Sequence, residues 1–235
     1  MKKLAIFVEG HTEQEFVEKL LREVIGALHL RIESYDAIGG RKPGSRKFQL
    51  VHVSDPTSDA RYLAMVVDCG ADSRVRSDIQ ERYAGLIAAG FSQIIGVRDV
   101  FPDVAFGQIA MLRKGLQVGL PNTPIQVLFV LGVMEIETWF LSEFTHFEKI
   151  DAKLTPRVIQ KALGFDPVSD DLQLRLNPAA DLHAAYQLVG LGYRKSKTEI
   201  QRTVNVLDYS RLYLGMTGRL SDLDALNAAL DQFLS

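Results

Sequence analysis

A chain of 235 residues, 47% apolar and 24% charged, has room for one large globular domain, or for a medium one with a smaller companion. It holds no apolar run near the ~20 residues of a membrane helix, and its single cysteine, Cys69, rules out an internal disulfide. The net charge of −2 excludes a bulk electrostatic footprint for nucleic acid, so any such surface has to be a local patch.

The first apolar run, Leu4-Ala5-Ile6-Phe7-Val8, does not alternate, which predicts a short strand buried on both faces of a parallel sheet. It is too short for a signal peptide and, with the lone cysteine, leads to the expectation of a reducing cytoplasm. Glu9 follows at once, and Gly10 supplies a backbone free to turn. Thr12-Glu13-Gln14-Glu15 has capping-box spacing and predicts a helix from about Glu13. Phe16, Val17, Leu20, Leu21, Val24, Ile25 and Leu28 would form its apolar face.

Residues 30–35 alternate weakly, as a half-exposed strand does. Residues 39–47 hold three glycines, a proline and four positive charges. This is a surface loop, either simply solvated or a basic flap whose Arg41 and Lys42 meet phosphates. Residues 62–67 give a second buried strand ending in Asp68, Cys69 and Gly70, and 77–89 a helix stopped by Gly90. A third strand starts at Gln93 and runs into Asp99 and Asp103. A helix over 104–118 follows, and a strand over 125–134 leads into Glu135-Ile136-Glu137. The alternation predicts an α/β fold with a mostly parallel, Rossmann-like sheet flanked by helices. Past residue 145 the texture becomes short amphipathic helices broken by Pro156, Gly164, Pro167, Pro178 and Gly192. The expected organisation is an α/β domain at 1–145 with a helical C-terminal appendage, 146–235, packed on it.

Acids thus follow strands at Glu9, at Asp68 with Asp72, at Asp99 with Asp103, and at Glu135 with Glu137. Parallel strands point one way, so these groups could converge at one sheet edge. Carboxylates in one small volume repel each other and raise their own pKa values. A hard cation with oxygen ligands relieves that repulsion, and Mg²⁺ is the usual one. Two such ions could clamp the attacking and leaving oxygens of a phosphodiester displacement. Each acid taken alone reads equally as a solvated loop residue or a helix cap.

Val8-Glu9-Gly10-His11-Thr12-Glu13 with Phe16 resembles the opening of the TOPRIM domain shared by topoisomerases, primases and OLD-family nucleases. In that family a glutamate ends the first strand and an Asp-x-Asp pair ends a later one. The pair falls here on Asp99-Val100-Phe101, where Phe101 replaces the second aspartate and Asp103 is the candidate substitute. Glu135-Ile136-Glu137-Thr138-Trp139-Phe140-Leu141 is similar to a segment of OLD-type and small stand-alone bacterial TOPRIM proteins, with Glu137 as its matching acid. The likeness covers about residues 3–141. It implies a TOPRIM-like domain and a Mg²⁺- or Mn²⁺-dependent phosphoryl-transfer enzyme, a nuclease on DNA or RNA. By the same resemblance Glu9, Asp99 and Glu137 are catalytic metal ligands; Asp103 as the substitute for Phe101, and Asp68 and Asp72 as further strand-end acids, are outer or alternative ones. Glu9 is alternatively a general acid toward the leaving oxygen. A role in phage defence or DNA repair follows by analogy alone. The chain has no Gly-x-x-x-x-Gly-Lys-(Ser/Thr) phosphate loop, so no ATPase of the OLD type is expected within it.

His11 lies at the mouth of the expected site, where it orients a phosphate, takes part in proton transfer, or is simply a helix-start residue. Gly192-Tyr193-Arg194-Lys195-Ser196-Lys197 is a second basic patch, read as a surface turn or as a phosphate grip through Arg194 and Lys195. Cys69, His29, His52, His146 and His183 show no ligand spacing and are read as structural. The competing function is a TOPRIM-fold scaffold without catalysis, which docks a partner protein or a second copy of itself. Phe101 and the weak basic footprint motivate it.

Overall fold

A computed structural model describes residues 1–40, 46–54, 59–101 and 104–235, apart from the side chain of Asp72. Arg41, Lys42 and Asp103 lie outside the described residues. Six strands form one mostly parallel sheet: β1 (Lys2–Val8), β2 (Leu30–Ile38), β3 (Lys47–Val53), β4 (Tyr62–Asp68), β5 (Gln93–Asp99) and β6 (Leu128–Gly132), in the spatial order β3-β2-β4-β1-β5-β6. β1 runs parallel to both neighbours, with Val8 level with Asp68 on one side and with Val97 on the other. This is the expected α/β architecture, and it places Leu4 to Val8 at full burial in the middle of the sheet.

The edge differs from expectation. β3 pairs antiparallel to β2, with a register shift beside Ser34/Tyr35. Its side chains are mostly exposed, so it carries no buried apolar run to mark it in the sequence. β2 is also longer than its weak alternation indicated, reaching Ile38.

Helix α1 (His11–Ile25) begins two residues before the expected start. Gly10 stands at its N-cap with extended backbone, no side-chain cap bond forms, and Thr12 and Glu13 are buried within the first turn. The Thr-x-x-Glu spacing is therefore present without the capping box. Gly26, with φ of 85°, closes the helix, which leaves Leu28 outside it and 68% exposed. Helix α2 (Asp72–Ala88) likewise starts ahead of Ser77. The expected helix over 104–118 is a 3-10 turn, Phe106–Gln108, continued by α3 (Ile109–Gln117).

The remainder is helical: α4 (Glu137–Ser142), α5 (Thr145–Ile150), α6 (Pro156–Leu163), α7 (Pro178–Gln187), α8 (Lys197–Val204) and α9 (Ser221–Leu234). The chain divides into two compact units. One comprises 1–98, 107–130 and 228–235, and the other 99–106 and 131–227. Among the described residues no helix is long and apolar enough to cross a membrane.

Within the first unit, one charge expected on the surface is structural. Arg46, from the glycine-rich stretch, is only 9% exposed. Its Nε sits 3.1 Å from Oδ1 of Asp78, itself buried, and its guanidinium donates to the carbonyls of Ala37 (2.9 Å) and Cys69 (2.7 Å). Arg82 then donates to the Arg46 carbonyl at 2.7 Å and lies over the Phe48 ring. Arg46, just ahead of β3, thus links that strand's start to β2, to the residue after β4 and to α2. Cys69 is buried beside it, and burial pushes its thiol far up, which leaves it unreactive. Replacing Arg46 with Met leaves Asp78 as an uncompensated buried charge and should cost about 3–5 kcal/mol of stability in urea unfolding. The double variant Arg46→Met/Asp78→Leu should recover much of that loss, and an Arg46→Met protein as stable as wild type would refute the assignment.

Candidate metal centre

β5 delivers Asp99 at its end, and β6 ends at Gly132 just before the sharp turn that carries Glu135 and Glu137. Three backbone bonds join the two strand exits: Val100 N–H reaches the carbonyls of Gly132 and Met134, both at 3.1 Å, and Phe101 N–H reaches Met134 at 2.7 Å. Met134 takes a left-handed φ of 62°, unusual for a residue with a side chain and worth about 1–3 kcal/mol of local strain. Thr138 braces the turn by donating its hydroxyl to the Val133 carbonyl at 2.9 Å. Asp99 closes it from below, its Oδ1 accepting the Ile136 N–H at 2.8 Å.

The result is a cluster of three carboxylates, Asp99, Glu135 and Glu137, that offer oxygens within 4.8 Å of one another. They are 3%, 8% and 0% exposed. Each has a role in the surrounding structure. Glu135 Oε2 accepts the Ala179 N–H at 2.8 Å, in the first turn of α7, which Asn177 caps through its side chain. Glu137 Oε1 accepts the buried Tyr193 hydroxyl at 2.8 Å. Lys195 bridges the two glutamates, its Nζ lying 3.3 Å from Glu135 Oε1 and 3.1 Å from Glu137 Oε1. Glu137 Oε2 is buried with no hydrogen-bond partner among the described residues.

Burial raises the Glu137 carboxyl above its ordinary value; Lys195 pulls against that rise, Glu135 adds to it, and Tyr193 again opposes it. An orphaned carboxylate oxygen beside two other acids is a donor set that fits a hard divalent cation such as Mg²⁺ or Mn²⁺. The same set also serves structure, because Lys195 and two backbone amides already compensate part of its charge.

Of the residues singled out in the sequence, Asp99, Glu137 and Lys195 meet here. In the sequence Glu135 reads as a strand-end acid outside the ligand set, and Tyr193 as the tyrosine of a basic patch whose Tyr-x-Lys spacing is similar to that of stand-alone TOPRIM proteins. The Glu-x-Glu and Tyr-x-Lys spacings were the signals that could have found them. Arg194 is exposed, and its N–H is spent on Glu199 Oε2 at 2.9 Å. Glu9, His11 and Asp68 belong to the first unit. Glu9 follows directly on β1 and is half-buried. His11 lies 3.4 Å from Glu15, one helical turn on. Asp68 accepts the Gly70 N–H at 2.7 Å as a turn carboxylate, and burial raises its pKa.

Gly132 is the residue that admits the Asp99 carboxylate. A Cβ there would stand 2.3 Å from Asp99 Oδ1 and 2.7 Å from the Ile136 nitrogen. Gly132→Ala should therefore break the Asp99–Ile136 bond and cost about 1–3 kcal/mol in chemical unfolding. An alanine variant as stable as wild type would contradict this geometry. Glu137 gives a second expectation. A carboxyl with a raised folded pKa contributes its stability below the unfolded value, near 4.5, and loses it as pH climbs through the folded value. In chelator, Glu137→Gln should accordingly gain stability relative to wild type from pH 4.5 toward neutrality. A wild-type advantage that grows with pH in the same titration would overturn it.

No family model and no curated protein matches the chain. Among solved structures, the crystal structure of hypothetical protein PH0156 from Pyrococcus horikoshii OT3 aligns along 100% of both chains, at 13% identity and a TM-score of 0.42. That similarity is too low to support an argument.

Proposed function

We propose that this protein is a Mg²⁺- or Mn²⁺-dependent phosphoryl-transfer enzyme of the TOPRIM type, acting as a nuclease on DNA or RNA. The observation that carries the reading is the buried Asp99–Glu135–Glu137 cluster with the unpartnered Glu137 Oε2. The α/β sheet and the sequence resemblance around Glu9 and Glu135–Leu141 agree with it. Asp99, Glu135 and Glu137 would hold the ion. Its chemistry there would be to offset charge that develops on the phosphoryl oxygens. Asp99 is fixed for this by the Ile136 amide and Glu135 by the Ala179 amide, so neither needs to reorganise. Tyr193 holds Glu137 in place from a buried position. Glu9 enters through the resemblance alone, as a further ligand or a general acid. A place in phage defence or DNA repair remains an analogy with the family.

A second reading has its own support. Lys195 between Glu135 and Glu137, and Phe101 where the family has an aspartate, suit a scaffold in which the acids only brace the turn. The two readings separate in one assay series. Purified protein is offered single- and double-stranded DNA and RNA with Mg²⁺, with Mn²⁺ and with chelator, beside Asp99→Asn, Glu137→Gln and Glu9→Ala. The enzyme reading expects metal-dependent cleavage that Asp99→Asn and Glu137→Gln each lower by about 100-fold or more. Cleavage that persists in both variants refutes it, and absence of both cleavage and metal binding favours the scaffold.

A further inference from the structure

Lys195 is held in an unusual way. Its φ of 57° is left-handed, in a residue that is not glycine. The backbone on either side is pinned: Arg194 N–H and Ser196 N–H both donate to Glu199 Oε2, at 2.9 and 3.2 Å, and the Ser196 hydroxyl joins them at 2.7 Å. Those bonds hold the Glu199 carboxyl below its ordinary pKa range, with the Ser196 hydroxyl contributing most. Tyr193, just before, donates its N–H to His183 Nδ1 at 2.9 Å and anchors its ring among buried groups. The segment is therefore rigid at both ends of Lys195, while the lysine side chain itself is 38% exposed. It has a fixed root, a flexible stem and an open way to solvent.

The ammonium also stands in a telling place. It lies within 3.3 Å of one oxygen on each of two glutamates, the position of a cation that bridges them. A divalent ion on the same oxygens and a neighbouring ammonium would repel each other strongly at that range. We propose that Lys195 is a tethered cation that leaves the Glu135–Glu137 pair when a divalent ion binds, swinging its amine out toward solvent. The inference rests on the metal-binding reading above and adds a regulation to it. Binding of the ion is opposed by an internal competitor, and the freed amine becomes available to an anionic phosphate only once the ion is in place. The pinned backbone confines the change to one side chain, and Glu137 Oε2, buried with no hydrogen-bond partner among the described residues, is an oxygen the ion could engage.

The test uses the full chain and the metal alone. Mn²⁺ affinity is measured by calorimetry for wild type, Lys195→Met and Arg194→Met, the last removing the same charge from an exposed neighbour. In parallel, an amine-acylating reagent is applied to wild type with and without saturating Mg²⁺, and labelling of Lys195 is followed by mass spectrometry against Lys197. Exchange predicts that Lys195→Met binds Mn²⁺ about tenfold tighter or more, with Arg194→Met close to wild type. It also predicts that Lys195 labelling accelerates on adding Mg²⁺ while Lys197 does not change. If wild type binds Mn²⁺ but Lys195→Met binds no tighter and labelling is unaffected, the exchange is wrong and the metal site stands. If no protein binds Mn²⁺, both fall. Should Lys195→Met fail to fold, the labelling of wild type decides alone.

Discussion

Three buried carboxylates whose oxygens lie within 4.8 Å of one another set the terms for the unit that contains them. At the separations of this cluster, two ionised acids repel by about 3 kcal/mol at an effective dielectric near 20, and three such pairs are present. Asp99, Glu135 and Glu137 are nonetheless almost wholly buried. The cost has to be met by whatever positive or donating groups reach them. Among the described residues, those groups include the Ile136 and Ala179 amides, the Tyr193 hydroxyl and the Lys195 ammonium. Much of the local architecture follows from bringing these donors in from distant parts of the chain.

The strand exits show how tightly this is done. Gly132 has no side chain because the Asp99 carboxylate fills that space. Met134 adopts a left-handed backbone just before Glu135, whose carboxylate reaches α7. On the far side, Glu199 and His183 organise the 192–196 turn that presents Tyr193 and Lys195. Helix α7 and the turn before α8 are thus tied to the acids by single, directed bonds. A site assembled this way is preorganised, which is what electrostatic catalysis asks for. A structural brace would be assembled the same way.

The sequence carried the centre of the fold plainly and its margins poorly. Leu4–Val8 and residues 62–67 are unbroken apolar runs, and such runs have few readings besides a strand buried on both faces. β3 has no such mark, since its exposed side chains leave pairing with β2 as its main support. Arg46 looked like a surface charge because glycines and other cations surround it in sequence, yet its partners Asp78 and Cys69 lie far along the chain. The site divides in the same manner. Asp99 and Glu137 stood out as acids after strands, with a family resemblance behind them. Glu135 shows equally as an acid after a strand and Tyr193 as the tyrosine of a basic patch, but the partners that give them their roles lie 44 and 56 residues away, beyond the reach of local pattern.

The central claim is that the carboxylates form a cation site, and the most direct measurement is a crystal structure of the protein grown with Mn²⁺, read by anomalous scattering. The account predicts an anomalous peak at bonding distance, roughly 2.0–2.3 Å, from carboxylate oxygens of Asp99, Glu135 and Glu137, with the Lys195 amine moved away from them. No peak at millimolar Mn²⁺, with Lys195 still bridging the two glutamates, would contradict the account and leave the cluster as a buried ionic brace.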